Sequence, residues 1–314
     1  MRRLAVLGVL GALAAAGSGV GLSSAAFTAH AAFTGSVTTA SDWVGPSLSL
    51  TSPADDSFQK STTVTLSGAA GNASGDDTTV TVNIWSGSSA SGTPVTTRSV
   101  TRSGATWSTS VSGMAPGTYT AQATQSDSSD NTATSAATTF TIDATAPTRV
   151  SVGAANGTGT AGHLDMGDTI TFTYSERMLP SSILPGWSAS SSASVKVRFF
   201  SSTGGDSFTV LDSSSAANVK LDNGTTGGGG VSLGTSANYV TGTTTFSATL
   251  GQSSDGTSFV VTLVGSPDYP SRVVSTPVTA KNMTWSPKAG PTDMAGNALA
   301  STTLWTESDF DRDF

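Results

Sequence analysis

Apolar and polar positions alternate along much of the chain in short runs. Val80, Val82 and Ile84 are separated by Thr81 and Asn83. A period of two puts one set of side chains on each face of a β-strand. The same alternation predicts strands at 47–50, around Val64 and Leu66, at 95–100, through Trp107, Thr109 and Val111, through Tyr119, Ala121 and Ala123, and at Phe140 and Ile142. Ser52-Pro53 and Ala115-Pro116-Gly117 supply turn chemistry between them. About seven short strands with turn signals every ~8–12 residues is the pattern of a β-sandwich. A second series follows at 168–174, 195–200, 208–211, 246–250 and 259–264. It spans more than a minimal sandwich requires, so insertions or extra strands are expected in it. The glycines at 227–230 are expected at a loop tip, unable to pack.

The two series meet at Phe140-Thr141-Ile142-Asp143, followed by Ala144-Thr145-Ala146-Pro147. Pro147 cannot continue a hydrogen-bonded ladder and pushes Ala146 into an extended conformation. The reading is therefore all-β, with two tandem sandwich domains at 47–143 and 150–306, the second enlarged by insertions, and a linker at 144–149. Ahead of them, Arg2 and Arg3 precede an apolar run from Leu4 to about Ala16. That is a secretion signal rather than a membrane span, expected over 1–31 and followed by an extension at 32–46. The context favours general (Sec-type) export over the twin-arginine route. Ala29-His30-Ala31 and Ser24-Ala25-Ala26 both offer cleavage sites. Only an uncleaved signal would hold the chain to a membrane. The last segment, 307–314, is acidic and carries no sortase motif.

Composition narrows the partners. Charged residues make up 11% of the chain, against ~25% in an average domain. Ser, Thr and Gly take their place, as in β-proteins with uncharged outer faces. A net charge of -7 repels phosphate backbones, which argues against nucleic acid as a partner. With no cysteine there is no disulfide and no thiolate metal site.

Several motifs carry a family resemblance. Gly117-Thr118-Tyr119 followed by Asp127, Asp130 and Asn131 resembles the G-T-Y … D-x-x-G-N signature of bacterial immunoglobulin-like (Big-type) repeats, with Asp130 in the glycine position. Gly167-Asp168-Thr169-Ile170-Thr171-Phe172, running on to Ser175-Glu176, together with Asp293-Met294-Ala295-Gly296-Asn297, resembles immunoglobulin-like modules of S-layer and related surface proteins. The Ala-Phe-Thr triplets at 26–28 and 32–34, leading to Trp43, are loosely similar to the camelysin-type signal region of exported Gram-positive proteins. The resemblance implies tandem immunoglobulin-like sandwiches, secreted or at the cell surface of a Gram-positive bacterium. It also implies that loop and junction aspartates can share a calcium that stiffens the joint. The matching residues are Asp127, Asp130 and Asp143, with Asp55 or Asp168 as candidates to complete the shell. The same aspartates also suit ordinary turns in which the side chain bonds its own backbone.

Catalytic chemistry finds little footing. His163 is the one histidine outside the signal region, and no nucleophile elbow lies near it. One histidine and no cysteine cannot build a typical zinc site. Glu176, at the end of a strong strand, is the one named candidate for an acid, and it would need a second carboxyl across a cleft. The chain reads as a non-enzyme. Of its tryptophans, Trp85 and Trp107 fall in strand patterns and are expected in the core. Trp187, in Leu184-Pro185-Gly186-Trp187, is expected in a loop and is the candidate ligand-binding residue. The sequence thus points to an exported structural or adhesive surface protein with no cofactor beyond structural calcium. Its expected partners are wall or matrix components, polysaccharide, or other copies of itself through sheet edges. The alternative is a carbohydrate-binding accessory module of a secreted enzyme system.

Overall fold

Strand runs dictate the architecture. A computed structural model describes residues 44–217, 219–279, 281–308 and 314. The expected signal at 1–31, nearly all of the 32–46 extension, and most of the acidic tail lie outside the described residues. The chain is nearly all β, with 41% strand and 3% helix.

The first series forms two facing sheets. In one, β1 (Ser57–Gln59), β8 (Thr138–Ile142), β6 (Gly117–Ser126), β3 (Thr79–Ser86) and β4 (Thr96–Thr101) lie side by side, with β7 (Thr132–Thr134) also on β6. In the other, β2 (Val64–Ala69) pairs with β5 (Thr106–Val111). All pairs are antiparallel except β1 with β8, where Ser57 stands against Phe140. The inward residues follow the alternation of the sequence: Val64 and Leu66, Val80, Val82 and Ile84, Trp107 and Val111, Ala121 and Ala123, Phe140 and Ile142. The expected strand at 47–50 is not a regular strand. It runs bonded along β2, with Ser49 N–H donating to Ala69 and Thr51 N–H to Ser67. Gly68 permits this approach, since a Cβ there would lie 2.0 Å from the Ser49 carbonyl oxygen.

The second series forms one antiparallel sheet of nine strands. Its order is β17 (Trp305–Thr306), β16 (Thr284–Trp285), β13 (Val231–Ser232), β12 (Ser207–Asp212), β11 (Ala193–Phe200), β14 (Thr244–Gln252), β15 (Ser258–Leu263), β10 (Thr169–Tyr174) and β9 (Arg149–Ala155). The sheet curls over its own core. Trp285 on β16 meets Phe172 and Tyr174 on β10, far along the strand order, at ring-centroid distances of 5.3 and 5.6 Å. Edge-to-face pairs of this kind add about 0.5–1.5 kcal/mol each beyond the area they bury. Among the described residues one short α-helix, α1 (Pro180–Ile183), starts on a proline and buries Ile183 in this core.

The enlargement lies in the segments between β12 and β14 and between β15 and β16, where only the two-residue β13 and a 3-10 turn (Pro270–Arg272) are regular. The glycines at 227–230 correct an expectation. Gly227 and Gly228 do form a tip, but Gly230 is buried and packs tightly. A Cβ on Gly230 would lie 2.4 Å from Asp222 Oδ1. Gly230 thus lets its backbone lie against both the Asp222 carboxylate and the Gly224 nitrogen. The two cores are separate, one built from residues 50–142 and the other from 152–314.

Candidate metal centre at the junction

Three backbone elements deliver one carboxylate each to the place where the two sandwiches meet. Asp143 follows the last residue of β8, where its N–H donates to Gln59. Glu176 follows β10, two residues past Tyr174. Asp293 belongs to the turn that also contains Gly296 and Asn297. One oxygen from each of the three lies within 4.8 Å of the others.

The turn at Asp293 shows why the D-x-x-G-N signature has that spacing. Asn297 donates its backbone N–H to Asp293 Oδ1 and its side-chain amide to Oδ2, at 2.8 and 2.7 Å. Asp293 N–H returns a bond to the Asn297 carbonyl. Gly296 supplies the left-handed conformation that closes the loop, with φ of 85°. The second amide hydrogen of Asn297 goes to the Asp143 carbonyl at 2.8 Å, so this turn also grips the linker.

The linker is bonded along its length. Ala300 N–H donates to the Pro147 carbonyl and Ser175 N–H to that of Thr148, while Thr148 N–H donates to Ser175 Oγ. Pro147 is buried. These contacts hold Asp143 close to Glu176.

Glu176 carries the electrostatic cost. Burial raises its pKa first; the Asp143 and Asp293 charges and a hydrogen bond with Asp143 add to it, and the carboxyl is pushed up to about 7. Every cause acts in the same direction, and none is a neighbouring cation. Glu176 Oε1 is shielded from solvent and has no hydrogen-bond donor among the described residues. Near neutral pH such a cluster is relieved in one of two ways, by a shared proton or by a bound cation. The donor set is entirely oxygen, which fits a hard cation such as calcium.

The residues named from the sequence are placed differently. Asp127 and Asp130 share a loop after β6, but Asp143 lies beyond the opposite end of that strand, since Gly117 pairs with Ile142. A strand rises ~3.4 Å per residue, so the ends of β6 are on the order of 30 Å apart. The three expected ligands cannot share an ion. Asp127 is engaged in its own turn: Oδ1 accepts from the Ser129 and Asn131 N–H groups and Oδ2 from the Asn131 side chain. The Asn131 side chain in particular lowers its pKa. Asp130 takes the left-handed position, with φ of 63°. Asp55 accepts from Thr139 N–H, and Asp168 accepts from Gly157 and Asp165 N–H groups. Neither joins the cluster.

Trp187 is not an exposed platform. It is 9% exposed, packs on Phe259 at 6.0 Å and donates its indole N–H to Ser191. It nevertheless lines a cleft of about 610 Å³. Sequence reading passed over Asp293 as a ligand, although its motif was in view. The signal was that a Ser-Glu strand end and an Asp-x-x-Gly-Asn turn occur in one module and can meet a strand-terminal aspartate.

No family model matches the chain, and no curated protein matches it. Among solved structures, fibronectin(III)-like modules of Clostridium thermocellum CbhA are similar at 11% identity over 69% of this chain and 93% of theirs, with a TM-score of 0.26. A marsupial T cell receptor is similar at 11% identity over 75% of this chain and 79% of its own, also with a TM-score of 0.26. The all-β sandwich assignment rests on the strand pairing of the chain itself.

Proposed function

We propose that this chain is an exported, non-catalytic structural or adhesive element of a cell surface or extracellular matrix, built from two immunoglobulin-like sandwiches in series. The observation that carries this reading is the junction. A tandem module that transmits tension needs a fixed joint, and here the linker is bonded to the second sandwich while three carboxylates converge beside it. In this reading a divalent cation of the calcium class closes the joint through Asp143, Glu176 and Asp293, with carbonyls and water completing its shell. The partners are wall or matrix components, reached through the loops of the second sandwich or through exposed sheet edges.

The test is thermal unfolding of the purified chain in chelator and in millimolar calcium. Binding to the folded state alone stabilises by about 2.7 kcal/mol at a hundredfold excess over Kd. A calcium-dependent rise in Tm is expected, lost in Asp143→Asn and in Glu176→Gln. An unchanged Tm in the parent chain would remove the cation from the proposal, leaving the hydrogen-bonded linker as the fixed joint.

A further inference from the structure

The two segments that carry Glu176 and Asp293 also reach a neighbouring cleft. Glu176 lies in the bend after β10 and is followed by Arg177, and Asp293 opens its turn and is followed by Met294. The two segments are bridged, Met178 standing against Asp293. Glu176 and Asp293 turn to the joint, while Arg177 and Met294 line the neighbouring cleft of about 610 Å³.

The chemistry of that cleft is specific. Exposed hydroxyls of Ser181, Ser188 and Ser190 stand along it, Trp187 contributes the little of its ring that is uncovered, and Arg177 is the one charged residue lining it. In a chain of net charge -7, a cleft with one cation and no acid is a local exception. Arg177 is exposed, and among the described residues it has no hydrogen-bond or ion-pair partner. Its stem is nonetheless placed, lying against Gly256 so closely that a Cβ there would meet Arg177 Cγ at 2.5 Å. The turn carrying Gly256 is tied to the same segment by Gln252, whose amide donates to the Met178 and Gly256 carbonyls, both at 2.9 Å. Ala189, also lining the cleft, holds φ of 58°, a conformation uncommon outside glycine. The guanidinium is therefore free at its tip and fixed at its base.

We infer that this cleft is a binding site for an acidic polysaccharide, with Arg177 receiving the carboxylate or phosphate of one repeat and the serine hydroxyls bonding its sugar or polyol hydroxyls. A guanidinium fork matches either anion in two-point geometry. A cleft of this size and open form suits a stretch of extended chain. The inference concerns binding in solution and holds or fails independently of the export reading.

The test is titration of the full chain, followed by tryptophan emission and calorimetry at ~0.15 M salt, with three probes: an oligogalacturonate, an oligo(glycerol phosphate) and a neutral cello-oligosaccharide. Arg177→Gln and Arg98→Gln are compared with the parent; Arg98 lies on exposed β4 of the other sandwich. Saturable binding of at least one acidic probe is expected, weakened about tenfold or more by Arg177→Gln and unchanged by Arg98→Gln. The acidic probe that binds identifies the natural anion, and binding of both assigns recognition to charge alone. The inference is overturned if no acidic probe binds at millimolar concentration, if Arg177→Gln binds as the parent does, or if the neutral probe binds equally well.

Discussion

Glu176 shows how one side chain can make the stability of the joint depend on pH. Burial, and then the Asp143 and Asp293 charges, push its carboxyl from 4.5 up to about 7 in the folded chain. A raised pKa means that the folded state holds the proton more tightly. That contribution is complete below about 4.5 and is lost as the pH rises through 7. In chelator, stability should therefore fall between about pH 5 and pH 8, and Glu176→Gln should flatten this slope. Calcium should oppose the fall, because deprotonation creates the ligand. Denaturant melts at several pH values, with and without calcium, check both signs. Single residues also mark where sequence reading stops. Gly230 and Trp187 were each named from local composition, a glycine run and a Pro-Gly-Trp loop. Gly230 is buried against the loop at 222–224, whose fold the glycine run does not announce, and Trp187 against Phe259, which is remote in sequence.

At the scale of elements the sequence was most informative. Strands β3, β10, β11, β14 and β15 follow from alternation because each buries one face, whereas β12 buries four residues in a row, on both faces, and shows as an apolar run. The short β1, β7, β13, β16 and β17 have two or three residues each, too few for a period to show. Their positions are set by longer neighbours that they pair with. The Asp-x-x-x-Asn turn occurs twice with the same bonding, at 127–131 and 293–297. The two copies should nevertheless respond differently to mutation. Asn131→Ala breaks a turn at the far end of the first sandwich. Asn297→Ala breaks the equivalent turn and also releases the Asp143 carbonyl, leaving buried acceptors unpaired at about 1–3 kcal/mol. Limited proteolysis should then cut Asn297→Ala within 144–149 while sparing Asn131→Ala. Equal resistance in both would show that the amide does not hold the linker.

For the whole molecule, the division into two β units was legible and the joint between them was not. Pro147 marks a break in the ladder, with Asp143 four residues before it. The partners of Asp143 come from residues 176 and 293, and only the folded second sheet brings those segments together. The export proposal is tested at this scale as well. Fractionation of producing cells should recover the chain in wall or matrix fractions, with a new N-terminus near residue 32. Recovery from the membrane with Met1 retained would show that the signal is an anchor.

The parallel pairing of β1 with β8 has a mechanical consequence. β8 leads directly into the linker, and β1 lies near the start of the described chain. Tension applied along the chain pulls these neighbours past each other, in shear. Their bonds must then yield together, whereas a ladder peeled from one end gives way one bond at a time. Stretched in series, the first sandwich would resist at this pair of strands, immediately before the carboxylates of the joint begin to share the force.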